Sequence, residues 1–237
     1  MKEGVSPERA KDELLDAILP HVVFDGWSES AFRAAIRDTG TDPDLARACC
    51  PRGAHDLAAA FHKRGDRALE EWVEANGAPG GRYRDRIMGL ERKRIELIGD
   101  REAARRAAAH FALPHNAAEG ARLIWETADL IWRLLGDTSD DINWYSKRAT
   151  LAAVHSATFL YWLGDESPGN AATWDFLDRR IEDVMRFEKV KAKLRESPLA
   201  KPFLQGPVAA ILSHIHAPRS TPAADLPGYW QEMEKNE

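Results

Sequence analysis

Along this chain apolar residues recur three and four positions apart, the spacing of one helix face, and no stretch alternates apolar and polar residues long enough to suggest a half-buried strand. The pattern predicts an all-α fold. Ser6 before Pro7 reads as a helix start: an N-cap side chain, then a proline whose missing N–H costs nothing at the first helical position. Leu14, Leu15, Ile18 and Leu19 form the buried stripe of that helix. Phe24-Asp25-Gly26-Trp27-Ser28 breaks the pattern, and Ser28 caps a second helix carrying Phe32, Ala35 and Ile36 inward. Asp42-Pro43 opens a short third helix. A fourth follows Pro51-Arg52-Gly53 with Leu57, Ala60 and Phe61 on one face, and further helices are expected at Ala68–Ala75, Tyr83–Ile98 (stripe Tyr83, Ile87, Leu90, Leu97) and Arg101–Phe111.

Asn116 with Glu119 three positions on has the form of a capping box. The helix it opens carries Leu123, Ile124, Trp125, Ala128, Leu130, Ile131, Trp132, Leu134 and Leu135, apolar almost all round, and the next, Ser139 to Leu163, is similar after Lys147 and Arg148. Two such helices belong in the middle of a bundle. Thr173 is expected to cap a more amphipathic helix with Leu177, Ile181, Val184 and Val190 inward and Arg179, Arg180, Arg186, Lys189, Lys191 and Lys193 outward. After Ser197 the texture changes, since six of the 13 prolines fall in the last 40 residues. Within that part Pro207 starts a short amphipathic helix whose Val208, Ile211, Leu212 and Ile215 share one face, and a flexible tail is expected beyond Pro218.

Composition supports this picture and narrows the chemistry. Alanine (37) and leucine (22) dominate while valine (8) is scarce, as a helical protein requires. The net charge of -5 leaves no overall attraction to phosphate backbones. The two cysteines, Cys49 and Cys50, are neighbours, which fits small buried thiols in a reducing compartment rather than a bridge or metal site. The first residues lead into charge without an apolar segment, so neither a secretory signal nor a transit peptide is expected. The uncharged stretch Ala149–Gly164 falls short of the roughly 20 apolar residues a spanning helix needs.

No phosphate loop, dinucleotide fingerprint, nucleophile elbow or His-Glu-x-x-His motif is present, and none of the eight histidines follows a glutamate at the Glu-x-x-His spacing of di-iron bundles. No nucleophile, base and orienting group assemble, and neither a cofactor nor a metal is expected. His155, on an apolar helix, reads as a hydrogen-bonded core or cavity-lining side chain, with a base role as the alternative.

The run Gly136-Asp137-Thr138-Ser139-Asp140-Asp141-Ile142-Asn143-Trp144-Tyr145-Ser146-Lys147-Arg148 has the character of a family signature. It resembles the central motif of the lipid-binding accessory proteins of ubiquinone (coenzyme Q) biosynthesis, the ninth Coq family. Phe24-Asp25-Gly26-Trp27-Ser28, Pro51-Arg52-Gly53, Asp165-x-Ser167-Pro168 and Thr173-Trp174-x-Phe176-Leu177-x-x-Arg180-Ile181 agree in order, so the likeness covers roughly residues 10 to 195.

The resemblance implies a fold like that of TetR regulators: a helix-turn-helix-like part over 1–62, a lipid-binding bundle over 63–196, an amphipathic C-terminal helix over 197–217 and a tail over 218–237. It further implies a non-catalytic homodimer that binds an isoprenoid or quinone lipid. Such a protein presents its lipid to a demethoxyubiquinone hydroxylase from a cytoplasmic position at the inner membrane. Asp141, Asn143, Trp144, Tyr145 and Arg148 would then form or support the surface that meets the hydroxylase. Two aromatic rings beside an arginine are residue types enriched at interface hot spots. The alternative is that Trp144 and Tyr145 close the bundle core while Asp140 and Asp141 favour the helix N-terminus.

For the lipid, the candidates are Leu123, Ile124, Trp132, Leu151, Val154, His155 and Phe159. Val208, Ile211, Leu212 and Ile215 would be the membrane contact, a weak one because the face is about two turns long. The same N-terminal helices also read as a TetR-type DNA-binding repressor, but residues 1–62 hold seven Lys or Arg against 11 Asp or Glu, and binding must neutralise phosphates. A dimeric scaffold that holds no lipid is the third reading.

Overall fold

The computed structural model describes residues 6–196 and Ala217. Among them the chain is helical, in the order α1 (Pro7–Asp25), α2 (Glu29–Thr39), α3 (Pro43–Cys49), α4 (Ala54–Asn76), α5 (Tyr83–Glu96), α6 (Arg101–Phe111), α7 (Ala117–Leu134), α8 (Ile142–Leu163), a single 3-10 turn at Pro168–Asn170, and α9 (Ala171–Glu196). The expected C-terminal helix with Val208, Ile211, Leu212 and Ile215 lies outside the described residues.

Several ends form as their residues predict. Ser6 accepts from the backbone N–H of Arg9, Ser28 from that of Ala31, and Asp42 from those of Asp44 and Leu45, each relieving an orphan donor of the first turn. Gly40 ends α2 in the left-handed conformation at φ 64°.

Other ends do not. The stretches expected as a helix after Gly53 and another over Ala68–Ala75 are one 23-residue helix, α4. The proposed division at 62/63 therefore falls inside a continuous helix. Asn116 makes no capping bond; its amide donates to the carbonyl of His110, and Glu119 turns away to Arg52 and His55. Thr173 lies inside α9 rather than at its cap, with its N–H and hydroxyl both donating to Asp165. α8 starts at Ile142, later than the expected Ser139, because Asp141 is the residue whose side chain takes the Asn143 N–H. Tyr83, expected inward, is exposed.

Two apolar clusters carry most of the core. One joins α1, α2, α3 and α4 to α6 and the end of α8 through Leu14, Leu15, Ile18, Phe32, Leu57, Phe61, Ala103 and Trp162. The other lies between α4, α5, α7 and α8 and contains Leu69, Leu90, Ile131, Trp132 and Leu151. A third, smaller group seats α9, with Val154 against Leu177 and Ile181. Each fully buried leucine contributes about 2 kcal/mol relative to an exposed one. A charged network ties the N-terminal helices to the bundle: Arg52 donates to Glu119 at 2.6 and 3.1 Å, and the His55 ring is 2.6 Å from Glu119 and 2.9 Å from His110. No helix among the described residues is long and apolar enough to cross a membrane.

Candidate functional site

α7 and α8 are apolar on more than one face because each serves more than one neighbour. One face fills the core, and another borders a cavity of about 340 Å³. α6 closes the cavity with small residues, Ala104, Ala107 and Ala108, followed by Ala112 just past its end, and Phe61, Ile98 and Phe111 complete its apolar wall. Gly120 lets α7 approach α6 closely: a Cβ there would stand 2.8 Å from Cβ of Phe111. The mouth is rimmed by the exposed Ala112, Ala117, Ala121 and Leu160, whereas Gly65, Arg94, Leu123 and His155 on the inner side are buried. The cavity is thus an apolar funnel open to the surface, of the size and lining of a small-ligand site.

Its inner end is polar. Arg94, 2% exposed, crosses α4 at Gly65, where a Cβ would stand 2.6 Å from the guanidinium carbon. Its Nε donates to Asp66 at 2.6 Å and Nη2 to the carbonyl of His62 at 2.8 Å. The Thr127 hydroxyl lies within hydrogen-bonding distance of both Asp66 and the His62 ring, at 2.9 Å each. Burial, with the Arg94 charge beside it, pushes His62 down to about 3, so this imidazole is neutral at physiological pH. Nδ1 of His155 is 2.8 Å from the buried Glu91 carboxylate. The Ser156 hydroxyl donates to the carbonyl of Ala152 in its own helix.

Of the seven residues expected at a lipid site, Leu123, Ile124, His155 and Phe159 line this cavity. Trp132 and Leu151 lie instead in the cluster shared by α4, α5, α7 and α8, and Val154 faces α9. Apolar composition marked all seven alike, and the face each takes depends on the crossing of α7 and α8.

A second feature lies at the start of α8. Trp144 and Tyr145 meet edge to face at 4.8 Å between ring centres, and Trp125 of α7 packs on both at 5.9 and 6.4 Å. All three rings are partly exposed. Beneath them Arg148, 2% exposed, stacks its guanidinium 3.9 Å from the Trp144 ring centre and donates to Asp129 at 2.6 Å and Asp137 at 3.2 Å. Lys147 donates to Asp137 at 2.7 Å and Ser139 at 2.6 Å. Burial alone would raise the Asp137 carboxyl, but its bonds to Lys147, Ser139 and Arg148 hold it below the usual range. Asp141 and Asn143 cap the helix, the Asn143 amide donating to Asp141 at 2.8 Å. Arg148 therefore supports the aromatic surface from below, and Asp141 fixes the helix start that displays it. Because Ile124 borders the cavity while its neighbour Trp125 packs on Trp144, the two features share α7.

Residues 117–188, which span both features, match the model of the COQ9 family. The chain is 31% identical over 188 residues to a human protein described as "Ubiquinone biosynthesis protein COQ9, mitochondrial", covering 76% of this chain and 59% of that one. It is 30% identical over 186 residues to the Drosophila melanogaster protein of the same description, covering 76% and 56%. Over this stretch the chain is similar to the COQ9 family. It spans less than two thirds of the length of these relatives, the COQ9 protein of Dictyostelium discoideum included, where 63% is covered at 26% identity. A TetR transcriptional regulator from Nitrosomonas europaea superposes with a TM-score of 0.60 at 18% identity over 73% of this chain and 95% of that one. The chain thus has a TetR-like fold.

On α3, Arg47 is paired to Glu29 at 2.6 Å, and Asp42 and Asp44 are exposed beside it.

Sequence reasoning missed Arg94, Glu91 and Trp125. Arg94 sits in a Lys-Arg pair that reads as outer face, and only Gly65, thirty residues away, hinted at something crossing α4. The alanine run of α6 was a visible sign of space along one wall.

Proposed function

We propose that this chain serves ubiquinone biosynthesis without catalysing a step, by holding an isoprenoid or quinone lipid and presenting it to a demethoxyubiquinone hydroxylase. The observation that carries this reading is an open apolar cavity bordered by α7 and α8, with an aromatic surface built from the same two helices. The lipid tail lies against Leu123, Ile124, Phe159 and the alanines of α6. Trp144 and Tyr145, with Trp125 beside them, are the anchors for the hydroxylase, and Arg148, Asp141 and Asn143 hold them in place. The relatives' descriptions as ubiquinone biosynthesis proteins support the pathway. The protein acts as a homodimer resting at the cytoplasmic face of the inner membrane, where its substrate resides, with Val208, Ile211, Leu212 and Ile215 as membrane contact.

Gentle purification followed by native and lipid mass spectrometry tests the first half: stoichiometric isoprenoid or quinone species are expected. Protein that is free of lipid and binds no added quinone would leave a scaffold in place of a carrier. The second half is tested by Trp144→Ala with Tyr145→Ala. Helicity and lipid content should be retained and hydroxylase pull-down lost, whereas loss of folding would assign both rings to the core. The DNA-binding reading has the fold in its favour alone. With Arg47 engaged by Glu29, no gel shift is expected at physiological salt.

A further inference from the structure

The inner end of the cavity has a chemistry that a plain hydrocarbon cannot satisfy. Arg94 uses Nε and Nη2 in bonds to Asp66 and to the carbonyl of His62, and Nη1 has no partner among the described residues. His155 uses Nδ1 toward Glu91, and Nε2 has none. Both side chains line the cavity, at 2% and 3% exposure. Glu91 occupies Nδ1 and leaves Nε2 as the ring nitrogen of His155 without a partner, able to accept or to donate according to the tautomer. Glu91 is wholly buried, and its other oxygen has no partner among the described residues, so its pairing there is with His155 alone. One permanent N–H donor and one ring nitrogen thus belong to side chains that line an otherwise apolar space. Covering them with hydrocarbon leaves two buried polar groups unpaired. A carbonyl or ether oxygen only accepts, and so meets Nε2 in one tautomer alone. A hydroxyl accepts from Arg94 and pairs with Nε2 in either tautomer.

We propose that Arg94 and His155 form a head-group subsite for a hydroxyl-bearing isoprenoid amphiphile, which enters polar end first and leaves its tail toward the rim at Leu160 and Ala121. This inference rests on the cavity being the lipid site. It adds that the reduced, phenolic form of a ring is held in preference to a quinone, and that handing the ring to a partner requires the lipid to slide outward. Gly65 belongs to the device, because any larger residue there displaces the guanidinium.

The test is a native mass spectrometry competition between three probes with one C15 tail, 4-farnesylphenol, its methyl ether and farnesylbenzene, at equal concentration with the full chain. The phenol should load about tenfold over the methyl ether, as expected for one hydrogen bond gained in a dry site, and further over farnesylbenzene, which has no oxygen for Arg94 either. In His155→Leu combined with Glu91→Leu, which leaves no lone buried charge, the phenol-to-ether ratio should fall to near one. Equal loading of all three in the natural protein overturns the subsite while the cavity stands. No loading of any probe overturns the lipid reading itself. A preference that survives in the folded double variant overturns the assignment to His155. Should the variant fail to fold by circular dichroism, the phenol-to-ether ratio in the natural protein decides.

Discussion

Gly65 shows how one atom can set a site. Its missing Cβ is the space through which Arg94 reaches Asp66 and the inner end of the cavity. Gly65→Ala should therefore lower stability by about 1 to 3 kcal/mol, the range for overpacking a tight interior, although alanine is the better helix former. A urea midpoint that rises instead would show that the guanidinium has another place to go. Titration is decided at the same scale. Glu119 is held down to about 2, chiefly by the hydrogen bond from Arg52 and against the cost of burial, and His62 is held down to about 3 by burial. Both folded values lie below the unfolded ones. Their contributions are complete above about pH 6.5 for His62 and 4.5 for Glu119, and are lost as the pH falls toward 3 and 2 respectively. Acid unfolding should thus move to lower pH in His62→Leu, which has no proton to take up, and the signal to follow is circular dichroism at 222 nm.

The helices explain why the cavity exists at all. α6 offers alanines where α7 and α8 offer long side chains, so three helices that meet closely still leave a void between them. Ala108→Phe, on the α6 wall and half-buried, should fill that void, abolishing lipid loading with a change in thermal midpoint of only a few degrees. Retained loading would place the lipid elsewhere. α8 divides its work by face: His155 and Phe159 look to the cavity, Leu151 to the second cluster and Val154 to α9. Periodicity identified α8 as buried, but residues 151, 154, 155 and 159 are all apolar or nearly so. Nothing in their order says which neighbour each meets. The capping errors have the same origin, because Asn116 and Glu119 satisfy the capping pattern and yet find better partners in His110, Arg52 and His55, which lie far off in sequence or beyond the helix.

For the molecule as a whole, the N-terminal helices and the bundle share one apolar cluster and the Arg52–Glu119–His55 network, with α4 continuous through both. The TetR-like fold thereby joins its N-terminal helices firmly to the part that holds the cavity. Leu57→Ala, in that shared cluster, should cost about 2 to 5 kcal/mol and melt both parts in a single transition. Two separated transitions would show that the parts fold independently.

The sequence by itself determined the helices, the majority of their starts, the apolar character of α7 and α8 and the motif at 136–148, because those follow from local spacing, capping chemistry and composition. It also carried the likeness to the ubiquinone family, since the motif residues are contiguous. Tertiary structure alone decided that Leu123, Ile124, His155 and Phe159 share a cavity while Trp132, Leu151 and Val154 do not, that Arg148 lies under Trp144, and that Arg94 reaches through α4. The physical reason is that a cavity is set by the difference between neighbouring surfaces. Its walls come from residues thirty to ninety positions apart, whose crossing angles no single helix encodes.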